Sequence, residues 1–134
     1  MKAAIFDLDG TLWDATTVAL PAFRSVLARL ELPAVPDDRL ASTLGYPIPE
    51  IWQMLLPPEE LHRAHEADKL MEETEAVLLA AGMGKPFPAV LETLSVIRQR
   101  GFLTFICSNC QPNYLEFTPN RLGVAHLFDG RYCA

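Results

Sequence analysis

The sequence predicts an α/β fold in which a parallel sheet is interrupted by a helical insertion, and three observations carry that prediction. Two short apolar runs, Ala3–Phe6 and Phe102–Cys107, lack the alternation of a half-exposed strand and fit strands buried in a parallel sheet. Each run ends in acidic or small polar residues, Asp7-Leu-Asp-Gly in one case and Ser108-Asn109 in the other. The stretch between them is patterned for helices and contains no convincing strand. The expected organisation is therefore a core from 1–14 and 84–134, with a helical cap inserted over 15–83.

The first run positions two acids. Asp7 and Asp9 are two residues apart, so on an extended chain their side chains point the same way, and Gly10 then allows a sharp turn. Carboxylates side by side at the carboxyl end of a buried strand repel unless a cation or a shared proton intervenes, an arrangement that suits a hard ion such as Mg²⁺. The plain alternative is a strand followed by an Asp-Gly turn with solvated acids.

Past Trp13 the pattern turns helical. Phe23, Val26, Leu27 and Leu30 fall at helical spacing, with Pro21 predicting a kink or a restart. Leu32–Pro36 ends that element. Asp37 and Asp38 open a short helix that Gly45 closes, Tyr46–Pro49 is a loop, and Glu50–Leu56 is a further short helix. Glu59–Ala81 reads as one long helix with acids and Arg63 and Lys69 on a solvated face. His62 and His65 stand three apart on it, a spacing that holds a metal only with a third ligand, and surface histidines are the plainer reading. Trp13–Thr16 and the Gly- and Pro-rich Gly82–Pro88 are the expected hinges of the insertion.

The core resumes near Lys85. Val90, Leu91, Leu94 and Ile97 form a helical stripe ending at Arg98, Arg100 and Gly101. The second strand then ends at Ser108 and Asn109, so helix and strand make a βαβ-type unit whose ligands sit at the carboxyl ends of the strands. Taken alone, Ser-Asn is a common turn. Pro112 suits the first turn of a following helix, Tyr114, Leu115 and Phe117 are candidate contacts, Pro119 implies a kink or a short helix, and Arg131–Ala134 could begin another strand.

Composition bounds the function. The chain has 134 residues, 50% of them hydrophobic, enough for an interior, and its net charge of -6 argues against nucleic-acid binding, which concentrates Lys and Arg. No stretch approaches a membrane span and no leader pattern opens the chain, so a cytoplasmic protein is expected. Cys107, Cys110 and Cys133 are an odd count without a disulfide framework, which fits a reducing compartment. Cys107 and Cys110 spell Cys-x-x-Cys, but a redox or zinc reading lacks a second ligand pair.

Asp7-Leu-Asp-Gly-Thr11 resembles the nucleophile motif of the haloacid dehalogenase superfamily of phosphatases and phosphomutases. Cys107-Ser-Asn-Cys-Gln-Pro-Asn-Tyr114 is similar to the phosphate-binding motif of its phosphoglycolate-phosphatase and β-phosphoglucomutase-like branch. The resemblance implies a Rossmann-like parallel core whose helical cap excludes water and chooses the substrate. It implies that Asp7 attacks a phosphoryl group to form an aspartyl phosphate. Asp9 would protonate the leaving oxygen and then activate water. Thr11 would hold the turn and orient Asp9, while Ser108 and Asn109 would bind phosphate. Asp7 and Asp9, the latter through its backbone carbonyl, would hold Mg²⁺, and the substrate would be a small phosphorylated metabolite. The superfamily also uses a later Lys and a later acidic pair, whereas this sequence has Lys only at 2, 69 and 85 and, after Ser108, only the acids Glu116 and Asp129. The resemblance thus reaches the first two of four motif regions, so the core is expected to be incomplete, as in a chain truncated at its carboxyl end. The first strand would then expose an edge that a partner chain could complete, and turnover by this chain would be weak. The alternative is a non-catalytic remnant that binds a phosphorylated metabolite or a partner chain.

Overall fold

A computed structural model describes residues 1–133, which fall into two compact units, one made of Met1–Ala15 and the residues from Gly82 on, the other of Thr16–Ala81.

The first unit is α/β. Its strands are β1 (Lys2–Phe6), β2 (Phe102–Ser108) and β3 (Gly130–Cys133), parallel and in the spatial order β1-β2-β3. Helix α5 (Val90–Gln99) leads into β2 and packs on it, and α6 (Pro112–Arg121) leads into β3 and packs on that strand. The register pairs Lys2 with Phe102 through Phe6 with Ile106, and Phe105 with Gly130 through Ser108 with Cys133. Because side chains alternate along a strand, Ala4, Phe6, Thr104, Ile106 and Ser108 share one face. Thr104, Ile106 and Ser108 are buried there, as are Leu94 of α5 and Leu115 of α6. The segment after α6, with Leu122, Val124 and the 3₁₀ turn Ala125–Leu127, completes this apolar layer.

One polar staple crosses the layer. Arg98 Nη1 donates to Thr104 Oγ1 at 2.9 Å, to the Leu127 carbonyl at 3.1 Å and to Asp129 Oδ2 at 2.7 Å. The same Asp129 oxygen accepts the Thr104 N–H at 2.8 Å. These bonds pull Asp129's carboxyl below the usual carboxylate range, the Arg98 hydrogen bond being the largest cause.

The helical unit comprises α1 (Thr16–Arg29), α2 (Asp37–Ser42), α3 (Ile48–Leu55), a 3₁₀ segment (Pro58–Arg63) and α4 (Ala64–Ala80). Phe23 and Trp52 meet edge to face with ring centroids 5.6 Å apart, and Leu40, Leu55, Ala67 and Met71 pack in the same core. Pro21 does not split α1. Val18, Ala19, Ala22, Phe23, Val26 and Leu27 are buried along its whole length, and that packing outweighs the one backbone bond the ring removes.

The expected single helix over Glu59–Ala81 is corrected to a 3₁₀ segment followed by α4. Arg63, at the junction, donates to the Leu30 carbonyl at 3.0 Å beyond the end of α1 and bridges Glu60 and Glu66. Helical spacing alone gives no sign of that anchor. At the other end of the chain, Pro119 sits buried in the last turn of α6, whose ten residues make the short helix that Pro119 implied.

Candidate functional site

The carboxyl end of β1 is shaped by its own sequence. Leu8 is fully buried and Gly10 takes φ +76°, a conformation that favours glycine, so the chain turns back with the Gly10 N–H on the Trp13 carbonyl at 2.9 Å and the Leu12 N–H on the Leu8 carbonyl at 3.0 Å. Trp13 is fully buried, bridges backbone with Pro86, and Phe87 N–H reaches the Leu12 carbonyl at 2.9 Å. Trp13 and Pro86 are therefore fixtures of the α/β unit rather than free hinge residues. The chain passes between the units at Ala15–Thr16 and Ala81–Gly82.

With Leu8 anchored, the two acids emerge on either side of it. Asp7 is exposed, and its Oδ1 accepts the Leu8 N–H at 2.8 Å. Asp9 is half-buried, and its Oδ1 accepts two hydrogen bonds, from Trp13 Nε1 at 2.8 Å and from the Tyr114 hydroxyl at 2.9 Å. Burial raises the Asp9 pKa above the usual value and the nearby Asp7 charge adds to the rise, while the Tyr114 and Trp13 hydrogen bonds oppose it. One carboxylate is left open to solvent; the other is fixed by one oxygen, with burial raising its pKa.

Ser108 closes β2 at the same end of the sheet. The last β1–β2 pair is Phe6 with Ile106, so Asp7 and Ser108 extend two adjacent parallel strands in one direction, about 4.8 Å apart from strand to strand. Ser108 is 8% exposed, its Oγ accepts the Cys110 N–H at 3.3 Å, and its side chain is also hydrogen-bonded to the Cys110 thiol. Asn109 is exposed on the loop that follows. Tyr114, in the first turn of α6, spans from this loop region to Asp9 and so ties the two ends together.

Thr11 is exposed on the turn, and its expected role of orienting Asp9 belongs instead to Trp13 and Tyr114. Trp13 stands four residues after Asp9, a spacing short enough to be suspected from sequence, whereas Tyr114 lies 105 residues away and only the tertiary fold brings it in.

The other candidates stay apart. Cys107 is exposed, while Cys110 is half-buried with its thiol pushed up to about 11, chiefly by burial, the opposite of the acidified thiol a redox site uses. His62 and His65 are exposed, and no group of three His, Cys, Asp or Glu side chains converges on a metal position among the described residues.

Comparison with known proteins agrees with this geometry. A phosphoglycolate phosphatase from Agrobacterium fabrum is 31% identical over 134 residues, covering 97% of this chain and 57% of the relative. One from Haemophilus influenzae is 23% identical, covering 92% and 58%. Among solved structures, a haloacid dehalogenase-like family hydrolase from Streptococcus pneumoniae superposes with a TM-score of 0.83 at 20% identity, over 100% of this chain and 61% of that one. CbbY from Rhodobacter sphaeroides, solved in complex with phosphate, gives 0.76 at 19% identity, over 99% and 64%. At those identities the structures show a shared fold, and the chain spans less than two-thirds of the length of the relatives it matches. The haloacid dehalogenase-like hydrolase family model matches residues 4–134, and together with the paired acids at the end of β1 this shows that the chain belongs to that family.

Proposed function

We propose that the carboxyl ends of β1 and β2 form the phosphoryl-transfer site of a Mg²⁺-dependent phosphomonoester hydrolase working through an aspartyl phosphate on Asp7. The observation that carries this reading is the pairing of one open carboxylate, Asp7, with a second, Asp9, that is half-buried and held through Oδ1 by Trp13 and Tyr114. One acid free to attack and a second held in a fixed orientation beside it are what a nucleophile and a general acid need. Asp7 attacks phosphorus and the ester oxygen leaves with the proton that Asp9 holds on Oδ2. In the second step Asp9 takes a proton from water as it attacks the acyl phosphate, releasing phosphate and restoring Asp7. Trp13 and Tyr114 keep Asp9 aimed by holding Oδ1, and the Ser108 hydroxyl, with Asn109 and Thr11 near the same rim, receives phosphoryl oxygens.

The donor set fits a magnesium ion held through few protein groups. Asp7 offers its carboxylate and Asp9 its main-chain carbonyl, since the Asp9 side chain is engaged elsewhere. When bound, such an ion would offset the repulsion between the Asp7 carboxylate and phosphate. The Thr16–Ala81 helices are assigned the cap's role of choosing a small phosphorylated metabolite. A net charge of -6 disfavours nucleic acid as substrate, and no helix among the described residues is long and apolar enough to cross a membrane. Free thiols support a cytoplasmic setting.

Labelling tests this directly. Incubation with Mg²⁺ and radiolabelled acetyl phosphate is expected to give a hydroxylamine-sensitive acyl phosphate on the peptide containing Asp7, absent in Asp7→Asn. Absence of label, or label that survives in Asp7→Asn, ends the reading. Steady hydrolysis of p-nitrophenyl phosphate by this chain is expected to be weak, because it has no Lys in the loops after β1 or β2 and no acidic pair following Ser108.

A further inference from the structure

The sequence sets Cys107 three residues from Cys110, but the fold brings Cys110 to a different partner. In the β2–β3 register Cys107 stands opposite Tyr132 and Ser108 opposite Cys133. Paired residues of parallel strands share a face and successive residues alternate, so Cys133 lies on the Ser108 side of the sheet and Cys107 on the other. Beyond β2 the chain turns back. The Cys110 N–H donates to Ser108 Oγ at 3.3 Å, and the Cys110 thiol is hydrogen-bonded to the same side chain. Ser108 is thus flanked by two thiols, Cys110 from the loop and Cys133 from the neighbouring strand, and Cys133 acts electrostatically on Cys110. Both are half-buried and free. Adjacent strands lie about 4.8 Å apart, and the turn that folds Cys110 back onto Ser108 gives the short reach that a disulfide requires.

We propose that Cys110 and Cys133 are a disulfide site, joined by a hydroperoxide oxidant, and that the bridge closes over the Ser108 hydroxyl and switches off the carboxyl end of the sheet. With hydrogen peroxide the chemistry balances. The Cys133 thiolate attacks one peroxide oxygen, the O–O bond breaks, and a sulfenic acid and one water form once protons are exchanged. Cys110 sulfur then attacks the sulfenic sulfur, the S–O bond breaks, and the hydroxyl leaves with the Cys110 proton as a second water. Two thiols lose two electrons and one peroxide gains them. Burial keeps Cys110 protonated, with its thiol pushed up to about 11, which gives Cys133 the first step and Cys110 the second. The bridge draws the Cys110 sulfur away from Ser108 and ties residues 109–111 to the end of β3. Ser108, 8% exposed beforehand, is then covered by the paired sulfurs. A reducing dithiol reverses the change by thiol–disulfide exchange.

The bridge itself rests on the sheet register, and only its effect on Asp7 rests on the phosphoryl-transfer reading, so each has its own measurement. The reduced 134-residue protein is treated with one equivalent of hydrogen peroxide, digested without reductant and mapped by mass spectrometry. The expected result is an intramolecular Cys110–Cys133 link that survives in Cys107→Ser, is lost in Cys133→Ser and disappears with dithiothreitol, both variants being folded by circular dichroism. Amide exchange over residues 109–111, which needs no turnover, should slow at least tenfold on oxidation. Acetyl phosphate label on Asp7 should fall at least fivefold in the oxidised protein, while Cys133→Ser keeps its label through the same treatment. A Cys107–Cys110 link, a link between chains, or oxidised thiols without any bridge overturns the proposal. So does unchanged exchange over residues 109–111, or unchanged labelling, once the bridge has formed. A reduced protein that takes up no label counts against the phosphoryl-transfer reading alone, and exchange over residues 109–111 then decides the switch.

Discussion

Asp9 shows how a single side chain is tuned by its neighbours. Its pKa is raised, so the folded state binds a proton more tightly than the unfolded chain does, and stability falls as pH rises from the unfolded value of about 3.9 through the folded one. Asp9→Asn removes that loss. Its melting temperature should be equal to or above wild type at pH 7, and its advantage should shrink at pH 3; a variant less stable at pH 7 than at pH 3, relative to wild type, would contradict the assignment. Tyr114→Phe should push the Asp9 pKa higher still, since it deletes a hydrogen bond that favours the charged form, and should cost about 1 kcal/mol of stability. Carboxyl NMR through an acid titration reads that shift. The thiols divide in the same way: Cys107 is exposed, whereas Cys110, at about 11, stays protonated at pH 8, so iodoacetamide should label Cys107 first by mass spectrometry.

At the scale of elements, the Arg98 staple joins α5, β2 and the entry to β3 through one guanidinium and one carboxylate. Asp129 has a depressed pKa, so its contribution is present above the unfolded carboxyl value and is lost as pH falls through the folded one. Asp129→Asn should therefore lower the melting temperature at pH 7 and converge with wild type in strong acid. A constant difference across the whole range would mean that the carboxylate charge is irrelevant there. In the helical unit, Leu40 is completely buried, and Leu40→Ala should cost about 2–5 kcal/mol in urea unfolding followed by tryptophan fluorescence. Arg63 explains why the helical pattern after Pro57 overreached. Spacing predicts which residues share a face, but a buried carbonyl 33 residues away decides where the backbone tightens into a 3₁₀ turn.

For the whole molecule, the two-strand frame, the helical stretch and the acids at the end of the first strand were legible because each is a local pattern. A buried strand needs an uninterrupted apolar run, a turn at φ +76° needs Gly10, and an amphipathic helix repeats its apolar residues. Which face of the sheet the helices cover was not legible, because it depends on the direction in which the crossovers run, and α5 and α6 both lie on the side of Ile106.

By itself, then, the sequence determined the α/β frame with its helical insertion, the family and the identity of the acids, all of which depend on residues close together in the chain. Only the tertiary structure decided which acid is open and which is held. The partners that make Asp9 different from Asp7 are a buried indole and a phenol 105 residues away, and such a pairing follows from packing, to which local pattern is blind.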